Sequence, residues 1–200
     1  LPDGPPAFAG LDVWGLNVPA DEVGGDYYDW PLLESGRLVV VLGDVSGHGI
    51  PAALLMAHLR ASLHAEADRA DSPAVVVGSM NRTLARAMES GRFATFFLAQ
   101  FEPGGREVRY CNAGHNPPLL VRQGRIEELK ANGIPIALLE NFTWGESCAA
   151  LEPGDVLVLY SDGVTECPYR NDMYGEERWN AAVLAQVRRR ARRPERGGHR

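Results

Sequence analysis

Residues 37–57 read RLVVVLGDVSGHGIPAALLMA, and three kinds of backbone follow one another along them. RLVVVL is a continuous β-branched run of the kind that forms a buried strand. GDVSGHG then places three glycines around one acid, which ends the strand and frees the backbone to turn. Pro51 falls where a first helical turn tolerates a missing N–H, and residues 52–67 are rich in Ala, Leu and Met, which favour helix. A strand that ends on an acidic glycine turn and passes straight into a helix aims an oxygen ligand from the strand's end.

Working outward, Ser72-Pro73 opens a second helix that ends near Gly91. The texture then turns to β. Residues 93–101, 107–112, 118–122 and 126–130 predict short strands, with hairpin turns at Gly104-Gly105 and Gln123-Gly124. Residues 155–160 (DVLVLY) predict another strand and residues 176–190 a last helix. Toward the N-terminus, residues 11–18 predict a strand, while residues 1–7, with three prolines and Gly4, read as a linker end. The order of strands, two helices, many strands and a helix is α+β with a largely antiparallel sheet. The reading is a single domain over residues 8–187 followed by an arginine-rich tail, 188–200. The chain opens on Leu1 rather than Met, as a processed product or a piece cut from a longer chain would.

With 45% hydrophobic and 23% charged residues, the composition is that of a soluble globular chain and excludes disorder, collagen and coiled coil. No apolar run approaches the roughly 18 residues of a membrane span, and residues 1–20 lack the basic-then-apolar pattern of a signal peptide. Cys111, Cys148 and Cys167 give neither a disulfide framework nor a CxxC metal site. A cytoplasmic protein with no membrane partner is expected. The net charge of −6 conceals an asymmetry: seven arginines crowd residues 188–200, leaving a net −12 on the rest. An acidic body argues against broad nucleic-acid binding and suits a site that concentrates divalent cations. The arginine run reads as a solvated tail, with a nucleic-acid arm ranked last among the functions.

Three acidic turns carry the candidate chemistry: Gly24-Gly25-Asp26, the Gly43–Gly49 turn around Asp44, and Ser161-Asp162-Gly163 at the end of DVLVLY. Each alone is a common turn dipeptide. Together they suggest one shared site, and oxygen-only ligands select Mg²⁺ or Mn²⁺ over zinc, for which the histidines have no suitable spacing. His48, in the glycine turn, is placed either to protonate a leaving alkoxide or to pack on the following helix, the second being preferred. His115 and Asn116 border a turn, where the preferred reading is a side chain bonding its own loop. His58 and His64 read as ordinary helix residues, and Phe93, Phe96, Phe97 and Phe101 as core. Two N-x-T sequons, at Asn81 and Asn141, read as chance.

VGGDYYD (23–29), GDVSGHGIPAALLMA (43–57), NAGHNPPLL (112–120), GIPIAL (133–138) and LEPGDVLVLYSDGVTE (151–166) together closely resemble the bacterial SpoIIE/RsbU branch of the metal-dependent protein phosphatase 2C-like family. The resemblance runs in order over residues 8–178. It implies a four-layer α-β-β-α sandwich with two mainly antiparallel sheets and a binuclear Mn²⁺ or Mg²⁺ centre. By motif match the resemblance implies that Asp26, Asp44 and Asp162 would be the metal-ligating, catalytic carboxylates, that Asp44 would bridge the ions, and that the backbone carbonyl of Val45 would be a further ligand. The resemblance further implies direct attack on phosphoserine or phosphothreonine by a metal-bridging water, with no protein nucleophile expected. The implied substrate is a phosphorylated bacterial signalling protein of the anti-sigma factor antagonist type. A fused or associated sensor domain and a homodimer fit the same pattern.

The family closes with a further helix and a strand bearing an Asp-Asp-x-Thr motif, whose acid completes the metal site, and no such motif follows Arg178 here. Asp172 sits in the loop before Gly175 and is not promoted to that role. The C-terminal part therefore reads as truncated, and a catalytically impaired binding module for a phosphoprotein stands as the alternative to the enzyme.

Overall fold

The computed structural model describes residues 1–2, 4–19, 24–47, 49–87, 91–130 and 133–191. Ten strands and four helices lie among them, in an α+β arrangement whose named strand pairs are all antiparallel. Contacts divide the chain into two compact units, one of residues 1–116 and 130–151, the other of residues 117–129 and 152–200. The sequence shows no boundary for this division, because the chain crosses it three times.

In the first unit, β1 (Tyr27–Asp29), β2 (Leu38–Val45), β3 (Ala94–Phe101), β4 (Glu107–Ala113) and β7 (Ser147–Ala150) form a sheet in the order β1-β2-β3-β4-β7. The RLVVVL run forms most of β2, as its β-branched residues favour. Val39, Val41 and Val45 all turn to one face and join the main core there. That face is covered by α1 (Gly49–Glu66) and α2 (Pro73–Ala87). On α2, Val76, Val77, Met80 and Leu84 make the buried stripe expected at helical spacing. Pro73 opens the helix, and the Val75 amide donates to Ser72 Oγ at 3.4 Å, a side-chain cap. α1 passes over Gly43, whose Cβ, if present, would lie 2.7 Å from the Phe96 ring and 3.3 Å from a Leu59 methyl. Gly43 is therefore a packing requirement.

The second unit contains β5 (Leu119–Arg122), β6 (Arg125–Glu128) and β8 (Val156–Val158) in the order β6-β5-β8, with α3 (Asp162–Thr165) and α4 (Glu176–Ala191). Gln123 and Gly124 both adopt positive φ, 50° and 75°, the geometry of a two-residue hairpin turn. Leu119, Val121, Tyr160 and Val183 form a separate small core, with the Tyr160 and Trp179 rings 5.4 Å apart. β9 (Pro168–Tyr169) and β10 (Asp172–Met173) make a small hairpin. Asp172 thus lies in a strand rather than in a loop, because the Arg170-Asn171 turn folds the chain back on itself.

One expected strand does not form. Residues 11–18 join no sheet, with Trp14, Leu16 and Val18 exposed. They lie across β1 instead: a Cβ on Gly15 would sit 2.8 Å from the Tyr28 ring and 2.9 Å from that of Trp30. The three cysteines are free, and no helix among the described residues is long and apolar enough to cross a membrane.

Candidate functional site

β2 ends on Asp44 and Val45. Alternation along the strand buries Val45 with the core and turns Asp44 to the opposite face. β1 pairs with β2 so that Tyr27 is opposite Gly43. Carried one residue further, that register sets Asp26 across from Asp44. A tight approach supports this placement: a Cβ built on Gly25 would lie 2.8 Å from the Val45 carbonyl oxygen and 3.2 Å from Asp44 Oδ1. Only a residue without a side chain lets the Asp26 turn come this close. Asp26, Asp44 and the Val45 carbonyl thus lie at one end of one sheet. The Asn17 side-chain amide donates to the Asp26 carbonyl at 3.3 Å and ties the turn to the N-terminal segment.

The turn after Asp44 is fixed to the start of β3. The Ser46 amide donates to the Phe93 carbonyl at 2.9 Å, and the Phe93 amide donates to Ser46 Oγ at 3.0 Å. Gly47 (φ 102°) and Gly49 (φ 71°) take left-handed backbone that other residues rarely adopt. His48 lies outside the described residues, as does Val23.

On the Asp44 face, the cross-strand partner of Asp44 is Thr95. Thr95 Oγ1 and His115 Nδ1 are hydrogen-bonded at 2.7 Å, and His115 is 3% exposed. The loop carrying His115 is held by Asn112, whose Oδ1 accepts from the His115 amide (2.8 Å) and whose Nδ2 donates to the His115 carbonyl (3.1 Å). The preferred sequence reading of His115 is therefore corrected: Asn112 is the side chain that bonds the loop, and the His115 ring reaches across to β3. The GIPIAL segment meets the same loop. A Cβ on Gly114 (φ 72°) would lie 2.7 Å from Pro135, Ala113 bridges Gly133, and Ala94 bridges Ile136. Four of the five motifs singled out in the sequence thus converge on one end of the first unit's sheet.

Asp162, in the fifth motif, opens α3 in the second unit and is exposed. Its carbonyl accepts the Glu166 amide at 2.7 Å. Among the described residues no group of three or more His, Cys, Asp and Glu side chains is already assembled as a metal cluster. Asp26, Asp44 and the Val45 carbonyl are nevertheless all hard oxygen donors, suited to Mg²⁺ or Mn²⁺.

Behind this pair lies a group that sequence reasoning missed. Asp29, 5% exposed, accepts from Tyr27 Oη (2.8 Å), the Trp30 amide (2.9 Å) and Arg60 Nε (3.2 Å), and is bonded to His64 Nε2 (2.8 Å). Burial opposes ionisation of Asp29, but the bonds from His64, Tyr27 and the Trp30 amide outweigh it and hold its carboxyl below the ordinary 3.8. His64 is accordingly more than a surface residue of its helix. The signal present in the sequence was the second acid of VGGDYYD.

The same architecture occurs in solved structures. The SiaA-PP2C domain of Pseudomonas aeruginosa superposes with a TM-score of 0.73 at 22% identity, covering 85% of this chain and 69% of that one. The RsbU and RsbW domains of Rv1364c from Mycobacterium tuberculosis give 0.69 at 28% identity, covering 85% and 47%. The fold is that of the PP2C-type phosphatase domains. More narrowly, the family model described as Stage II sporulation protein E (SpoIIE) matches residues 34–196, and the chain belongs to that family. It is 30% identical over 168 residues to the phosphoserine phosphatase RsbU of Bacillus subtilis strain 168, covering 83% of this chain and 50% of that protein. It is 28% identical over 213 residues to protein IcfG of Synechocystis sp., covering 90% and 34%. The chain therefore spans half or less of the length of these curated relatives.

Proposed function

We propose that the chain is a metal-dependent protein serine/threonine phosphatase domain acting on phosphoserine or phosphothreonine of a bacterial signalling protein. The observation that carries this reading is the seating of Gly25 against Asp44 and Val45, which gathers two carboxylates and a carbonyl at one sheet end. Asp26, Asp44 and the Val45 carbonyl would hold Mn²⁺ or Mg²⁺, and Asp162 is assigned as a third carboxylate by its motif alone. Two such ions, when bound, supply an activated water and neutralise charge on the phosphoryl oxygens.

The chain's own residues do the rest. Gly25 and Gly43 let the backbones close so that the carboxylates share one end of the sheet. Ser46 and Asn112 lock the two flanking loops, and Thr95 with His115 keeps the buried polar floor beside Asp44 paired. No side chain is assigned as a nucleophile. An anti-sigma factor antagonist is the proposed substrate class, supported by the RsbU relative and by the pairing of RsbU and RsbW domains in the Mycobacterium tuberculosis structure.

The test is Mn²⁺-dependent phosphate release from a phosphoserine peptide, with EDTA and Asp44→Asn alongside. Loss of an outer partner of a metal site costs about 10–100-fold, and loss of a direct ligand is expected to exceed that. No turnover by folded protein, together with retained binding of a phosphoprotein, would favour the binding-module alternative.

A further inference from the structure

We propose that Asp29 is a positioning residue for the Asp26–Asp44 pair, acting by locking β1 onto α1; this rests on the metal-centre reading above. Asp26 sits at the end of a short strand. β1 has three residues, is at the sheet edge, and its ladder partner is β2 alone among the described residues, with Tyr27 opposite Gly43 as the last pair before Asp26. An edge strand of this length holds its end weakly. Asp29 adds an anchorage from the helix side, because its buried carboxylate reaches two residues one helical turn apart on α1, Arg60 and His64. Charge-assisted bonds of this kind are stronger than neutral ones, and a buried carboxylate left unpaired is costly.

The geometry closes a circuit around the site. From Asp26 the chain runs three residues to Asp29, and Asp29 grips α1. α1 leads back over Gly43 to Gly49, just past the turn that carries Asp44 and Val45. Tyr27, between Asp26 and Asp29, is wholly buried and donates its hydroxyl to the same carboxylate, so strand and helix share one anchor. The separation of the two site carboxylates is thereby set from two sides: directly, by the Gly25 contact, and through α1, by Asp29.

Asp29→Asn keeps the shape and removes the charge. Should that variant fail to fold, Arg60→Gln with His64→Gln removes the same contact from side chains that are 48% and 44% exposed. In metal-free protein, amide hydrogen exchange is expected to rise about tenfold or more over residues 26–30 while β3 is unchanged, since each bond to a charged group is worth at least that factor. Mn²⁺ affinity measured by calorimetry is expected to fall at least about tenfold, as for other supports behind a metal site. A purely structural role would speed exchange throughout the sheet and leave the Mn²⁺ affinity of folded protein unchanged, and that result would overturn the inference. If unmodified protein binds no Mn²⁺, the metal-centre reading fails, and exchange alone decides: acceleration confined to residues 26–30 supports the anchor, and no local change refutes it.

Discussion

Gly25→Ala adds one methyl group at the point where the two acidic turns touch. Its Cβ would stand 2.8 Å from the Val45 carbonyl oxygen, 3.2 Å from Asp44 Oδ1 and 3.5 Å from the Val45 nitrogen. Ordinary contact begins at 3.4 Å, so the turns must separate by about 0.6 Å, and the first obstacle is backbone that cannot rotate away. Metal–ligand distances tolerate only about 0.2 Å. Overpacking of this kind costs roughly 1–3 kcal/mol. If the cost falls on the site, Mn²⁺ binding weakens by about 5- to 150-fold at 1.4 kcal/mol per factor of ten. If it falls on the fold, the melting temperature drops by roughly 2–4 °C per kcal/mol in a chain of this size. Calorimetric titration with Mn²⁺ and thermal denaturation, run on the same sample, separate the two. Gly24→Ala is the control, since its Cβ would meet nothing closer than 3.7 Å. Gly25 has no left-handed backbone, so the comparison isolates contact from conformation. A Gly25→Ala protein that binds Mn²⁺ as tightly as the unmodified chain and melts at the same temperature would refute the assembly of the site at this contact.

Three further outcomes are expected. Mn²⁺ at about 100 times its Kd adds about 2.7 kcal/mol to stability, a rise of roughly 5–10 °C in melting temperature, and Asp44→Asn abolishes that rise. Because the Asp29 carboxyl is held below 3.8, its stabilising contribution is fully present above that pH and is lost as pH falls through the lower folded value. Denaturant titrations between pH 5 and about 2 therefore show a loss that is smaller in Asp29→Asn. Asn81→Ala removes a fully buried amide that donates to the Leu139 and Glu140 carbonyls and accepts from the Ala137 amide, at an expected cost of about 2–4 kcal/mol in chemical denaturation.

Much of the backbone was legible because its signals are local. The valine run, the Pro-initiated helices, the glycine hairpins and the terminal helix each lie within a few residues of their cause. The acidic turns that carry Asp26, Asp44 and Asp162 were legible for the same reason, as acids flanked by glycine. What escaped depends on residues far apart in the chain. Asp29 and His64 are separated by 35 positions, and Thr95 and His115 by 20, so neither partner marks the other in sequence. Asn81 reads as a sequon, yet its side chain is spent on a loop more than 50 residues away. The strands β1, β7, β9 and β10 have two to four residues each, too short for an alternation to show. Conversely, residues 11–18 read as a strand yet join no sheet, and at Gly15 they lie against the Tyr28 and Trp30 rings.

The route of the chain between its two units has a bearing on how the protein is made. β4 leaves the first unit at residue 116, the β5–β6 hairpin is built elsewhere, and only then does the chain return to lay β7 beside β4. During synthesis the first unit thus waits for residue 151 to emerge before its fifth strand can dock, although the hairpin of the second unit has already been translated. Until β7 arrives, the outer edge of β4 presents an open row of amides and carbonyls to whatever nascent strand is nearest. Fragments ending near residue 116 should therefore aggregate through the outer edge of β4, and extension past residue 151 should close that edge.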